Sequence, residues 1–178
     1  MHEWGYVKAV SNLAGDKRVE DETTALIHRY EAALYQFLMP LLASRDEALD
    51  VLQDTFIRCY EQLAAGKEIQ GAWLFKVARN RAIDLQREKG RGRSLAIRLH
   101  TNTPSATTDD HAPVTRALRI LSSNDQELLL LCEVDGLCAR DIAAILNIRP
   151  AAVYTRLFRA RERLRHALTL QMETNHET

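Results

Sequence analysis

Residues 139–165, ARDIAAILNIRPAAVYTRLFRARERLR, decide how this chain folds. Ile142, Ile145 and Leu146 fall on one side of a short helix, and the turn "NIR" follows. Pro150 then stands at the first position of a second helix, where its missing N–H does no harm. On that second helix Val153, Leu157, Ala160 and Leu164 make an apolar stripe at i, i+4, i+7 and i+11. The opposite arc carries Ala151, Thr155, Arg159 and Glu162, with Tyr154 and Phe158 at its flank and Arg156 on the other side. Two helices joined by three residues have the arithmetic of a helix-turn-helix. A helix that enters a major groove needs small or polar residues near its N-terminus and cations for phosphates. Both are present. The competing reading is a solvated arginine-rich surface helix; the short helix and turn before it favour DNA.

A second segment of the same character lies at residues 73–93, WLFKVARNRAIDLQREKGRGR. A helical wheel puts Leu74, Val77, Ala78, Ala82 and Leu85 on an apolar arc with Trp73 at its edge. Lys76, Arg79, Asn80 and Arg87 form the polar arc, which suits a nucleic-acid backbone, with Asn80 able to hydrogen-bond a base or phosphate. Trp73 reads as a core anchor in preference to a stacking platform. Arg81 and Asp84, three residues apart, read as a local ion pair.

The chain has 178 residues and no formal net charge, yet the charge is partitioned. Residues 46–68 carry six acidic side chains against two basic ones, a net of −4. Residues 71–98 carry eight basic side chains against Asp84 and Glu88, a net of +6, and residues 149–165 set six arginines against Glu162, a net of +5. Two surfaces for a polyanion and one for a protein are expected. An apolar fraction of 46% with 27% charged residues is a core-forming composition. No run approaches the roughly 20 apolar residues of a membrane span, and the N-terminus lacks the apolar stretch of a signal peptide. A cytoplasmic protein with no membrane insertion is expected. Cys59, Cys132 and Cys138 are odd in number, without metal-ligand spacing, and read as structural thiols; a metal or redox role for Cys132 and Cys138 stays open. No cofactor is called for.

Nothing in the chain reads as strand, so the expected fold is all-α: two small helical domains joined by a flexible linker. Leu26, Ile27, Tyr30, Leu34, Phe37 and Leu38 share a helical face that ends near Pro40. Ser44 and Glu47 match a capping box, and the helix after them turns Ala48, Val51, Leu52, Phe56 and Cys59 inward up to Gly66. Residues 90–113, rich in Gly, Pro, Ser and Thr, read as the linker. The parts are an N-terminal extension (1–22), a helical domain (23–89), the linker, a helix-turn-helix domain (114–170), whose long helix is expected to end near His166, and a tail (171–178). Within the second domain Ser122 or Ser123 caps "NDQELLLLCEV".

Together the two halves resemble the extracytoplasmic-function group of bacterial sigma factors, in the sigma-70 family. "DVLQDTF" is similar to that family's core-polymerase docking signature, "WLFKVARNRAIDLQRE" to its −10 helix, and "IAAILNIRPAAVYTRLFRARERLR" to its −35 reader. The resemblance spans residues 24–166. It implies a specificity subunit that performs no bond chemistry, with core RNA polymerase, promoter DNA and an anti-sigma factor as partners. It assigns Asp50, Gln53, Asp54 and Phe56 to the core-polymerase-binding surface, Phe56 being the most core-like of the four. Lys76, Arg79, Asn80 and Arg87 are assigned to the −10 element. Ala151, Tyr154, Thr155, Arg156, Phe158 and Arg159 are assigned to the −35 element.

Four departures from the family pattern stand out. The loop "AAGKEIQGA" has no aromatic residue to capture a flipped base, Tyr154 replaces a usual cation, Arg81 replaces a usual apolar residue, and Cys138 stands at a helix N-cap where Ser or Thr caps better. A second reading of the whole chain is a helix-turn-helix regulator that does not act as a polymerase subunit; it leaves the acidic "DVLQDTF" helix without a purpose. An enzyme is the third class, against which phosphate loops, nucleophile elbows and clustered metal ligands are all missing from the sequence.

Overall fold

A computed structural model describes residues 16–93, 117, 118 and 120–174, without side chains at 90–93 and 170–174. All the regular structure among them is helical, and the chain divides into two compact units near Arg91.

The first unit is built from α1 (Lys17–Leu38), α2 (Arg45–Ala64) and α3 (Gly71–Arg93). α1 starts well before the expected domain edge at residue 23. Asp16 caps it by accepting from the Arg18 N–H at 3.1 Å, and Val19 and Thr23 extend the buried stripe of Ile27, Tyr30 and Leu34 backwards. Thr23 hides in that stripe by donating its hydroxyl to the Val19 carbonyl at 2.7 Å, as Thr55 does to Val51 in α2. Leu26 is half-buried at the margin of this face.

Ser44 caps α2. Its Oγ accepts from the Glu47 N–H at 3.2 Å and donates to the Glu47 carboxylate at 3.2 Å. The Lys89 ammonium lies 2.5 Å from the same carboxylate. Burial opposes the charge on Glu47, but the hydrogen bond and charge of Lys89, with help from the Ala43 backbone and Ser44, outweigh it and hold its pKa below 4.5. A carboxyl depressed in the folded state contributes stability above its unfolded pKa and loses it as pH falls through the folded one. The stability lost on Glu47→Gln should therefore be largest above about pH 5 and shrink on acidification; chemical denaturation at a series of pH values measures it.

At the far end of α2, Gly66 adopts φ +78°, and the Gly66 and Lys67 N–H groups close back onto the Leu63 and Gln62 carbonyls at 2.9 and 3.0 Å. This is a Schellman ending, and glycine occupies its left-handed position without strain.

α3 packs by its smallest residues. Gly71, Ala78 and Ala82 are buried in one stripe with Leu74 and Phe75. Phe75, which the helical wheel left out of the apolar arc, is fully buried; Val77 and Leu85, which it included, are half-buried. The reason is the partner surface: Phe75 meets Tyr30 and Phe37 of α1 edge-on, with centroids at 6.3 and 5.6 Å. Trp73 is half-buried. The Gln86 side chain donates to the Leu41 carbonyl, fastening α3 to the segment after α1. α3 also continues three residues past the expected linker start, through Gly90 and Gly92 to Arg93. The rest of the linker lies outside the described residues.

The second unit holds α4 (Ser123–Cys132), α5 (Ala139–Leu146) and α6 (Pro150–Thr174), the last running beyond its expected end near His166. Ser122 is the cap of α4, its Oγ accepting from the Asp125 N–H at 3.3 Å and donating to the Asp125 carboxylate at 2.9 Å. Gln126, buried, donates to the Leu118 and Leu121 carbonyls at 2.8 and 2.9 Å, which ties the preceding turn down. Leu121, Leu129 and Ala160 form a core cluster with Leu118, Leu157 and Leu164 around it. Arg163 of α6 reaches Asp125 at 2.7 Å.

Between α5 and α6, Asn147 takes the left-handed conformation (φ 54°, ψ 48°), and Ile148 N–H bonds the Ala143 carbonyl at 2.9 Å. Asn is among the few side chains that tolerate this conformation. At the start of α5, Asp141 accepts from the Cys138 N–H at 2.9 Å. It accepts from the thiol as well, and both bonds hold its carboxyl below the ordinary range. The third residue of the helix thus supplies the carboxylate half of a capping box that the cysteine alone supports poorly.

Candidate protein-docking and nucleic-acid interfaces

The outer face of α2 carries Asp46, Asp50 and Glu61 exposed, with Gln53, Asp54 and Ile57 half-buried among them. Ile57 was not singled out from the sequence, although it follows Gln53 by four residues and so lies above it on the same face. Phe56 does not belong to this surface. It is fully buried, as the i+4 partner of Leu52 in the core requires. Its contribution to the outer face is to seat α2.

Asp54 also reaches across to α3. Its carboxylate lies 3.3 Å from Nε of Arg81 on α3, and Nη1 of Arg81 lies 3.7 Å from Glu88. The expected Arg81–Asp84 pair is replaced by this cross-helix pair, and Asp84 instead faces Arg87 at 3.6 Å. Packing decides the exchange, because Arg81 lies on the side of α3 that faces α2. Both Arg81 and Asp54 keep substantial exposure, so the pair contributes only about 0–1 kcal/mol.

The polar side chains of residues 76–89 therefore separate by environment. Lys76, Asn80 and Arg87 are exposed and stand at i, i+4 and i+11, along one line of α3. Arg79 is half-buried at the flank of this line, and half-buried Ile83 lies within it. Arg81 and Lys89 are committed to α2 through Asp54 and Glu47. Charge counting cannot make that division; only the position of α2 does.

In the second unit Ala151, Tyr154, Thr155, Arg156, Phe158 and Arg159 are all exposed on α6, while Val153 and Ala160 beneath them are buried. Phe158 is about as open to solvent as Tyr154 beside it. Among the described residues, Arg156 and Arg159 have no ion-pair partner, whereas Arg163 is held by Asp125 and Arg165 by Glu162.

The thiols divide by depth. Burial, with the Glu22 charge adding to it, pushes Cys59 up to about 12. Cys132 is also raised, mainly by burial, and Cys138 is exposed. Among the described residues no group of three His, Cys, Asp or Glu side chains is placed to hold a metal, and no helix is long and apolar enough to cross a membrane.

Comparison with known proteins agrees with this division into units. Residues 26–92 match the Sigma-70 region 2 family, and residues 111–164 match Sigma-70 region 4. The RNA polymerase sigma factor CarQ of Myxococcus xanthus is 31% identical over 159 residues, covering 84% of this chain and 90% of its own. The ECF RNA polymerase sigma factor SigM of Bacillus subtilis is 29% identical, covering 76% and 88%. The ECF RNA polymerase sigma factor SigE of Mycolicibacterium smegmatis is 26% identical over 90% of this chain, which spans 66% of that relative's length. Among solved structures, CnrH in complex with the cytosolic domain of CnrY superposes with a TM-score of 0.60 at 25% identity, covering 93% of this chain and 95% of that one. The sigma factor RpoE in complex with the anti-sigma factor NepR from Bartonella quintana gives 0.70 at 24% identity, covering 86% and 98%. The chain belongs to the sigma-70 family of RNA polymerase sigma factors, in its extracytoplasmic-function group. It is accordingly a non-enzymatic specificity factor.

Proposed function

We propose that this sigma factor docks on core RNA polymerase through the outer face of α2, with Asp50, Gln53 and Asp54 making the contact. Lys76, Asn80 and Arg87 of α3, flanked by Arg79, engage and help open the −10 element. Ala151, Tyr154, Thr155, Arg156, Phe158 and Arg159 of α6 approach the −35 major groove. The observation that carries this reading is the separation of the chain into two units, each presenting one outward cationic helix face. The working parts are residues 23–89, with α1 extended backwards to Lys17, and residues 114–170, joined by the stretch 90–113. Two weak sites joined by a linker gain from effective concentration and also read the spacing between the elements.

CnrH and RpoE are each solved with a partner protein bound, which supports a comparable anti-sigma partner here. A protein that works on core polymerase is placed in the cytoplasm by that task.

Run-off transcription with purified core polymerase on genomic fragments tests the reading. New start sites that require this chain are expected, with shared −10 and −35 sequences upstream. A chain that shifts duplex DNA yet directs no start site is a regulator instead. For docking, Gln53→Ala and Asp54→Ala should each weaken binding to core polymerase by roughly 1–2 kcal/mol, with the fold retained. Arg81→Ala should leave that affinity near wild type. An equal loss in Arg81→Ala means that Asp54 acts by holding α3 and not by touching the polymerase.

A further inference from the structure

Tyr154 and Phe158 are 70% and 67% exposed, the two large apolar side chains left in water on α6 among the described residues. They stand four residues apart, on successive turns of one face, within the first nine residues of the helix. Core packing does not account for them, since Val153 and Ala160 already fill the inward side. Arg161 follows Phe158 by three residues on the same side, and the exposed arginines 156, 159 and 161 of the helix, like Arg149 just before it, have no ion-pair partner among the described residues. An apolar pair on an arginine-rich helix suits a polyanion that offers small apolar groups between its charges. The major groove offers one such group, the C5-methyl of thymine; its other features are hydrogen-bond donors and acceptors. A cation at position 154 would seek the purine acceptors, whereas an aromatic ring gains little from them and can cover a methyl.

We propose that Tyr154 and Phe158 are specificity-determining residues that read thymine methyl groups in the −35 element. The proposal rests on α6 being the −35 reader. It makes at least one A·T pair, with its thymine facing this pair of rings, a required feature of the promoters this sigma factor serves.

The test uses holoenzyme assembled from the full chain and core polymerase, on a promoter found by run-off transcription. Each thymine of the −35 element is replaced in turn by deoxyuridine, which differs only in lacking the methyl. At one position or more the wild-type holoenzyme should lose about fourfold in affinity, the equivalent of ~0.8 kcal/mol for one buried methyl. Holoenzyme carrying Tyr154→Ala or Phe158→Ala should be indifferent to that replacement, whereas Arg159→Ala should bind both templates more weakly and keep the difference between them. Both aromatic side chains are exposed, so an unchanged thermal transition is expected for these variants. If scrambling the −35 element abolishes binding but deoxyuridine changes nothing at any position, the methyl proposal falls and the −35 assignment stands. If scrambling has no effect, the −35 assignment falls and takes the proposal with it. If both alanine variants match wild type on every template but no longer bind a co-purified regulatory protein, the rings serve protein docking and the proposal is overturned.

Discussion

Phe56→Ala should destabilise the first unit by about 3–5 kcal/mol, with core-polymerase binding lost only in proportion to unfolding. The ring is fully buried, and the neighbouring Val51, Leu52 and Cys59 of α2 are buried with it. Truncation removes the transfer energy of the ring and leaves a cavity that three packed helices can only partly close. Conservative Phe56→Leu should recover most of the loss, since it keeps most of the volume. Denaturant titration gives the stability, and core binding is then measured well below the unfolding midpoint. A side chain that made its own contact with the polymerase would instead show weakened binding at full stability. This comparison separates Phe56 from Gln53 and Asp54, the polar members of the same signature.

Gly71→Ala should cost about 1–3 kcal/mol, although alanine favours helix more than glycine does. An added Cβ would lie 2.6 Å from Cζ and Oη of Tyr30 and 2.8 Å from Cε1. Tyr30 cannot simply swing aside, because its ring also meets Phe75 edge-on and carries the Arg29 guanidinium at 5.2 Å. The first turn of α3 must therefore lift from α1. Lys76 and Asn80, which we propose engage the −10 element, ride on the next turns, so the variant should also weaken its opening, read as reduced open-complex formation at a temperature where the protein remains folded. Unchanged stability would show that α1 yields and that the close approach of glycine is not required.

Much of the architecture was legible because it is written in local patterns. The 3.6-residue period of α1, the Ser44 cap, and Pro150 at the head of α6 after a three-residue turn each depend on neighbours within one or two turns. The early start of α1 was missed because its stripe passes through Val19 and Thr23, and a threonine that bonds back to its own helix does not read as apolar. The reach of α3 through Gly90 and Gly92 was missed for the opposite reason. Glycine weakens a helix by only about 1 kcal/mol, which is not a stop. Phe75 falls outside the apolar arc of α3 taken alone, whereas Tyr30 and Phe37 draw the buried side towards it.

By itself, then, the sequence determined which segments are helices, where two of them are capped, that they form two units, and which family they belong to. Each of these follows from residue type and spacing along the chain. Only the tertiary structure decided what each charged or aromatic side chain does. Arg81 and Lys89 lie in the same basic run as Lys76 and Arg87, yet packing turns the first two onto carboxylates of α2 and the other two to solvent. Likewise Phe56 and Phe158 are the same residue on two helices, one fully buried and the other 67% exposed. Residue type sets what a side chain can do, but its neighbours in space are supplied by helices distant in sequence, and no local period encodes them.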